Sequence, residues 1–207
     1  MKVGSLDFRF IDYFKLINDS IIYIDLTMHD DKVIDNAFDS LSKYNKWILD
    51  LRGEVQTSEL FLSLIYDNFF SSSQICTPYF TMPEKKLMSY HKESSIFYPA
   101  ETKRLKGDFI FLIDWRTFGS GESFASTVKE YKIGKLIGDK TQGSLLSGVP
   151  IRLNSDFNVS LGTVYGYSPS GKSFLNSPIS PDIAIEFIPE SLNYDPALEE
   201  AINILSK

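Results

Sequence analysis

The stretch that decides how this chain folds is TFGSGE at residues 117–122, between an apolar run at Phe109–Ile113 and a helix-like segment at Ser120–Tyr131. The run is typical of a buried strand, and the segment after it predicts a helix. A strand that turns tightly into a helix is a place where enzymes hold a nucleophilic side chain beside free backbone N–H groups. Whether this turn holds a working nucleophile decides what the protein does.

Length and composition favour one folded domain. The chain has 207 residues, below the roughly 250 at which a single core splits, so residues 1–207 are expected to form one domain. The 43% hydrophobic content is enough for a core and argues against disorder. Twenty-seven acidic and 21 basic residues give a net charge of −6, and the scattered Lys and Arg disfavour nucleic-acid partners.

Several other classes are disfavoured by residue usage. The single Cys76 has no partner for a disulfide or a CxxC zinc site, so it is expected to be a small buried residue. No run reaches the roughly 18 apolar residues of a membrane span, and Met1–Phe10 does not form a signal peptide. The chain is therefore expected to be soluble; its compartment stays open, because this start is also compatible with a removed leader.

Strand and helix patterns alternate along the first half. Phe8–Leu16 and Ser20–Leu26 predict a hairpin about Asn18-Asp19, so residues 1–20 are interpreted as a hairpin arm. The next predicted elements are a helix at Asp31–Tyr44, a short buried strand beginning at Lys46 and a helix at about Ser58–Phe70. Residues 71–106 lack clear periodicity and are expected to form an irregular excursion with one or two strands.

The second half continues the alternation. Beyond the 117–122 turn, the patterns predict strands at Lys135–Ile137, Val149–Leu153 and Phe157–Val164, a turn at residues 154–156 and a terminal helix at Pro196–Leu205. Strands alternating with helices indicate the α/β class.

Four motifs follow one another in order: DLRG at 50–53, TFGSGE at 117–122, GDKTQG at 138–143 and SPDI at 180–183. Together they resemble the catalytic domain of the tail-specific (C-terminal-processing) and tricorn-core serine peptidases, over about Ile21–Ile185. The resemblance implies a ClpP/crotonase-like fold, in which ββα units form a spiral, and an ancestral hydrolysis of peptide bonds through an acyl-enzyme.

The resemblance also assigns positions in the second motif. The family's nucleophilic serine stands three residues before the motif's glutamate, which here is Glu122, so the nucleophile position is Gly119. Ser120 then takes the place of the residue after the nucleophile, whose N–H helps to stabilise the oxyanion. The resemblance implies that Gly53 and Gly121 contribute the neighbouring backbone of this oxyanion hole.

Other functional positions of the family are substituted as well. The lysine that follows the third motif in the tail-specific branch is Ser144 here, and the glutamate before the Pro-Asp pair in the tricorn-like branch is Leu175. The PDZ-like domain of these peptidases has no counterpart in this chain. The first motif continues into Glu54 where the family has glycines, and a charged side chain is a poor substitute where backbone must approach a substrate.

The residues themselves leave a catalytic role open for Ser120. If the turn slid by one residue, its hydroxyl would be the nucleophile; otherwise serine suits a helix N-cap. Its base would be Lys140, His29, His91 or a residue of another chain. The histidines are interpreted as turn or surface residues, and an exposed lysine stays protonated near pH 7.

Acidic residues give no stronger candidate. Glu122 and Glu130 lie eight positions apart on the predicted helix and share a face only loosely. Asp30, Asp31 and Asp35 lack the spacing of a cation loop and are interpreted as helix-start acids. No metal or other cofactor is predicted.

The sequence therefore predicts a peptidase-family domain that is catalytically inactive or impaired. The domain is expected to retain a peptide-binding groove near Gly53 and Gly119. This groove would hold an extended polypeptide or a peptide C-terminus by β-augmentation. An active serine peptidase using Ser120 is one alternative. A structural or assembly domain whose cleft is closed by side chains such as Leu175 is the other.

Overall fold

Strands with continuous apolar runs build the central sheet. The computed structural model describes residues 8–11, 14–82, 84, 88–144, 148–154, 157–186 and 194–207. Within these ranges the strands are β1 Phe8–Ile11, β2 Phe14–Ile17, β3 Ile21–Asp25, β4 Lys46–Asp50, β5 Phe70–Ser71, β6 Gln74–Phe80, β7 Met88–Glu93, β8 Ile96–Phe97, β9 Asp108–Ile113, β10 Lys135–Gly138, β11 Gly148–Arg152, β12 Asn158–Gly162, β13 Tyr165–Tyr167 and β14 Ile183–Ala184. The helices are α1 Asp31–Leu41, a 3-10 helix at Glu59–Leu64, α2 Ser120–Tyr131 and α3 Pro196–Leu205.

The central sheet has seven strands in the order β1-β2-β3-β4-β9-β10-β14. From β3 to β14 the neighbours run parallel, whereas β1 and β2 extend the sheet in antiparallel pairing. Smaller antiparallel sheets pair β5 with β8, β6 with β7 and β13, and β11 with β12. The predicted α/β class is confirmed.

Both faces of the sheet are covered, as the continuous apolar strands require. In β4, Trp47 and Leu49 join one buried cluster, which also contains residues of α1 and α2. Ile48 joins the second cluster, where α3 contributes Ala201 and Leu205. The period of two along each strand therefore places α1 and α2 on one face and α3 on the other.

The hairpin predicted about Asn18-Asp19 is confirmed between β2 and β3. Both turn residues have positive φ, 49° and 56°, which Asn and Asp tolerate in tight hairpin turns. The predicted strand Phe8–Leu16 is two strands, β1 and β2, which pair with each other. These strands extend the central sheet beyond β3.

The helix predicted at Ser58–Phe70 is wrong. Only the short 3-10 helix forms there. The α-helical pattern would bury Leu60, but this side chain is 54% exposed, and the adjacent residues Phe61 and Leu62 are buried instead. Residues 71–106 contain more strand than the one or two expected, since β6, β7 and β8 all lie there. Strands β13 and β14 were not predicted; at three and two residues they are too short to show periodicity.

Most remaining elements match the predicted positions. The helix expected at Asp31–Tyr44 ends earlier, at Leu41, while α2 and α3 have the predicted bounds. Asp30 is the N-cap of α1, where it accepts the Val33 N–H at 3.0 Å, which confirms a helix-start acid. The thiol-bearing Cys76 is buried, as predicted. The turn predicted at residues 154–156 lies partly outside the described residues.

In the described part of the chain no helix is long and apolar enough to cross a membrane.

Candidate functional site

Three of the four motifs meet at one edge of the sheet. DLRG at 50–53, TFGSGE at 117–122 and GDKTQG at 138–143 follow or close the parallel strands β4, β9 and β10 at their carboxyl ends. This edge is where open α/β sheets bind ligands. The fourth motif lies elsewhere, because the Asp182 carboxylate accepts the Leu136 N–H near the start of β10, at 2.9 Å.

Gly119 has the backbone of a strained elbow. Its φ of 53° and ψ of −120° are a combination that residues with a Cβ adopt only with strain, and it serves as the N-cap of α2. A Cβ built on Gly119 would meet no atom within 4 Å, so the space in front of this residue is open. The position that the resemblance aligns with the nucleophile therefore faces a cavity and carries no side chain.

The start of α2 offers unused backbone donors. Across the described residues, neither the Gly119 nor the Ser120 N–H donates to a backbone or side-chain acceptor. The first N–H groups of a helix lack intrahelical partners and carry partial positive charge. They are suited to bind a carbonyl or carboxylate oxygen of a ligand.

Ser120 is the first residue of α2, so the N-cap role considered for it belongs to Gly119. Its Oγ donates to the Val55 carbonyl oxygen at 3.0 Å, and this hydrogen bond ties the helix start to the segment after the first motif. No lysine, histidine or carboxylate is bonded to this hydroxyl in the described part of the chain. Among the described residues, the Ser120 hydroxyl therefore makes a structural hydrogen bond and has no base beside it that would activate it.

Gly53 and Gly121 bring the first motif against the helix. A Cβ on Gly121 would lie 3.3 Å from the Gly53 carbonyl oxygen, so glycine allows this close approach. Both glycine N–H groups are engaged in turns, Gly53 with the Leu51 carbonyl at 2.9 Å and Gly121 with the Phe118 carbonyl at 3.0 Å. Of the three residues expected to form the oxyanion hole, Ser120 is the one with an unused N–H.

A groove of about 560 Å³ opens in front of Gly119. Its walls are mostly apolar, and its polar residues come from the loop after β4, the 3-10 helix, the turn between β5 and β6, and α2. The lining consists of Glu54, Thr57, Ser58, Glu59, Ser72, Ile75, Phe97, Phe118, Gly119, Ser120, Ser123, Phe124, Val164, Tyr165 and Gly166. Leu175, which the structural alternative named as a residue that closes the cleft, is not part of this lining and is 49% exposed.

The groove wall at β13 is not a free sheet edge. One side of β13 pairs with β6, and on the other side the Gly166 carbonyl oxygen accepts the Phe174 N–H at 3.1 Å, while Tyr167 bridges to Ser173. Backbone pairing of a ligand with β13 is therefore blocked at these positions. A ligand in the groove would contact side chains and the N–H groups of Gly119 and Ser120.

Glu122 joins the second motif to the third through hydrogen bonds. Its side chain is fully buried, and its carboxylate accepts three donors from the loop after β10: the Thr141 hydroxyl, the Gly143 N–H at 2.5 Å and the Ser144 N–H at 2.6 Å. Ser144, the substituted lysine position, is thus held to α2 through its backbone. The sequence placed Glu122 in the motif but not in this role.

A half-buried carboxylate on the 3-10 helix, Glu59, could not be identified from the sequence. Glu59, from the 3-10 helix, accepts hydrogen bonds from the Ser123 hydroxyl and, at 2.9 Å, from the Thr127 hydroxyl of α2. Burial raises the pKa of Glu59 above its usual value, and the two hydroxyl hydrogen bonds oppose the shift only in part. Glu59 and Ser123 both line the groove beside Gly119.

The other acid–base candidates lie outside the groove lining. His29 packs edge-on against Phe14 with ring centroids 5.0 Å apart, and the exposed His91 pairs with Glu93 at 2.8 Å. The Lys140 side chain is exposed. Glu130 accepts the Ser170 hydroxyl at 3.0 Å on another part of α2.

An ion-pair network fixes the sheet edge next to the site. Arg52 lies 2.6 Å from the Asp50 carboxylate and 2.7 Å from that of Asp195, the N-cap of α3. Asp50 also accepts the Tyr23 hydroxyl at 2.7 Å. Burial alone would raise the pKa of Asp195, but the hydrogen bond and charge of Arg52 and the Leu198 N–H lower it below its usual value.

These features define a class of protein: an α/β domain whose parallel strands end at an elbow-like turn before a helix, with a groove in front of it, as in peptidases of the serine type. Residues 20–185 match peptidase family S41, and the chain belongs to this family. It is 31% identical over 111 residues to tricorn protease from Thermoplasma volcanium, a match that covers 52% of this chain and 11% of tricorn protease. The chain thus spans about a tenth of that relative's length.

Solved structures show the same fold. A candidate peptidase from Parabacteroides merdae superposes with a TM-score of 0.70 at 16% identity, covering 98% of this chain and 67% of that one. Tricorn protease gives a TM-score of 0.58 at 22% identity, over 90% of this chain and 17% of tricorn protease. The photosystem II D1 C-terminal processing protease gives 0.56 at 19% identity, over 90% and 47% of the two chains. The fold expected from the resemblance is confirmed.

Proposed function

We propose that this S41-family domain binds polypeptide in the groove in front of Gly119 and hydrolyses it slowly or not at all. The observation that carries the proposal is the elbow itself, which has the backbone of a nucleophile turn and open space before it but a glycine at the position where the side chain would stand. An acyl-transfer site needs a nucleophile, and glycine offers only its N–H.

The groove supports binding independently of chemistry. Its volume of about 560 Å³ lies in the range of ligand sites, and apolar and aromatic walls surround a few polar groups. The Gly119 and Ser120 N–H groups stand where a peptide carbonyl or a terminal carboxylate would be accepted. Phe118 and Tyr165 are 38% and 39% exposed, so they present apolar surface to a bound chain.

Residual hydrolysis would require another nucleophile. The Ser120 hydroxyl is bonded to the Val55 carbonyl, which is not a base, and the described lining of the groove contains carboxylates but no histidine, lysine or arginine. Glycine at the elbow position and this lining together favour binding over cleavage.

Two measurements on the purified protein test the proposal. A fluorophosphonate probe reports an activated serine, and we expect no labelling of wild type beyond that of Ser120→Ala. Fluorescence anisotropy with a labelled, unfolded polypeptide reports binding, which we expect to be saturable. Phe118→Ala should weaken it by about tenfold, since truncating a buried aromatic anchor commonly costs more than 1 kcal/mol. Tyr98→Ala, an exposed aromatic outside the groove lining, is the matched control.

The outcomes separate the three functions. Labelling that disappears in Ser120→Ala would show an active serine peptidase and overturn the inactive assignment. Absence of binding to unfolded polypeptides and to peptides with free C-termini would overturn the groove and leave a structural role. Equal loss of binding in Phe118→Ala and Tyr98→Ala would place the binding surface elsewhere.

A further inference from the structure

Glu59 has hydrogen-bonding capacity that its protein partners leave unused. One carboxylate oxygen accepts the Ser123 hydroxyl and the other accepts the Thr127 hydroxyl. A carboxylate offers about four acceptor sites over its two oxygens, so each oxygen retains a site for another donor. Glu59 also lines the groove, together with its partner Ser123.

The charge of Glu59 also lacks a protein counter-ion. The described lining of the groove includes two acidic residues, Glu54 and Glu59, and no cationic one. No ion pair among the described residues involves Glu59. A half-buried carboxylate held by two neutral hydroxyls is costly to ionise, which agrees with the raised pKa of Glu59. A cation placed beside it would offset that cost.

The aromatic walls of the groove suit a cation carried on an aliphatic side chain. Phe124 belongs to the groove lining, as do the exposed faces of Phe118 and Tyr165. Aromatic faces attract guanidinium groups and pack against aliphatic chains. A guanidinium donates through a planar fork that matches both oxygens of a carboxylate, and it is more weakly hydrated than an ammonium group.

We infer that the groove selects polypeptides that present an arginine side chain, with the guanidinium pairing to Glu59 and the aliphatic stem lying along the aromatic wall. The inference rests on the proposed function, since it names the class of polypeptide that the groove in front of Gly119 takes. It assigns Glu59 as the specificity-determining residue, with Ser123 and Thr127 holding the carboxylate in place.

A set of four matched peptides tests the inference on the wild-type chain. The peptides share one uncharged sequence and differ at a central position, which is arginine, lysine, citrulline or norleucine; anisotropy or calorimetry gives the dissociation constants. We expect arginine to bind about 10- to 100-fold more tightly than citrulline, its neutral isostere, from the usual strength of hydrogen bonds between charged groups. Lysine should fall between them, because it lacks the fork.

Two variants locate the selectivity. Glu59→Gln removes the charge with little change of shape, and we expect it to lower the arginine-to-citrulline preference to less than about threefold while citrulline binding is kept. Glu54→Gln removes the other, exposed carboxylate of the same groove and should leave the preference unchanged within about twofold. Circular dichroism verifies folding; if Glu59→Gln does not fold, the wild-type peptide series still decides the inference.

The outcomes distinguish this inference from the proposed function. If the four peptides bind with equal affinity, polypeptide binding stands and the selection for arginine is wrong. If none binds, the proposed function fails first. A preference lost in Glu54→Gln but not in Glu59→Gln would overturn the assignment of the residue. Displacement of the arginine peptide by arginine amide with the same affinity would show that the groove takes a small cation instead of a polypeptide.

Discussion

Replacing Glu122 by alanine should destabilise the domain severely. The carboxylate accepts the Thr141 hydroxyl and the Gly143 N–H on one oxygen and the Ser144 N–H on the other. Alanine leaves these three donors without an acceptor in a buried site, and each such loss costs about 1–3 kcal/mol. We expect the free energy of unfolding to fall by at least about 3 kcal/mol, the sum of the three lower limits and a large part of the 5–15 kcal/mol that is typical of a domain.

The isosteric change Glu122→Gln refines this expectation. The amide oxygen can keep the two bonds from Thr141 and Gly143, but the amide NH₂ would then face the Ser144 N–H, donor against donor. We expect a smaller loss of about 1–3 kcal/mol. Glu130→Gln, on the exposed face of the same helix, is the matched control and should change stability by less than about 0.5 kcal/mol.

Urea unfolding followed by circular dichroism and tryptophan fluorescence gives the three free energies. The expected order of loss is Glu122→Ala, then Glu122→Gln, then Glu130→Gln, with an unchanged slope against urea if all variants unfold in two states. A Glu122→Ala variant that lost less than about 1 kcal/mol would refute the reasoning, because three buried donors cannot all be left unpaired at that cost.

Three further predictions concern other residues at or near the site. Gly119→Ser should lower stability by only about 1–2 kcal/mol, the strain of a side chain at positive φ. Gly138→Ala should cost at least about 3 kcal/mol, because its Cβ would lie 2.1 Å from the Ile113 carbonyl oxygen, and urea unfolding measures both variants. Arg52→Lys should cost about 1–3 kcal/mol in the same assay, since an ammonium cannot replace the fork that joins two carboxylates; an unchanged midpoint would contradict this. Because the pKa of Glu59 is raised in the folded state, its contribution to stability is greatest below the unfolded pKa, about 4.3, and is lost as the pH rises through the folded value. Stability measured from pH 4 to 8 should therefore fall with rising pH in wild type relative to Glu59→Gln, and parallel curves would show that Glu59 does not titrate abnormally.

The parts of the site that could be predicted are those written into continuous segments. The strand before Gly119 and the helix after it are local patterns, and the order of the motifs indicated the family. Glu59 could not be found in this way, because its partner Ser123 is 64 positions away. The helical spacing of Leu60 and Leu64 also suggested a different buried face, and the 3-10 helix instead turns Glu59 against α2.

The same limit applies to Leu175. The resemblance aligns this residue with the glutamate position of the tricorn-like branch, and only the structural alternative has it closing the cleft. In the structure Phe174 is the buried residue of this segment, and its N–H bonds to Gly166 in β13. Strand β13 is three residues long, so no periodicity marked the contact that directs Leu175 outward.

The elbow at Gly119 is held by its neighbours and does not depend on a side chain at that position. The Thr117 hydroxyl accepts the Asp114 N–H at 3.2 Å, and the Thr117 carbonyl oxygen accepts the Gln142 N–H at 3.0 Å. One turn into the helix, Glu122 fixes the loop after β10. A residue with a Cβ would have to be forced into this backbone, whereas glycine adopts it without strain. The geometry of the turn therefore depends on Thr117 and Glu122, and Gly119 contributes only its backbone to the groove.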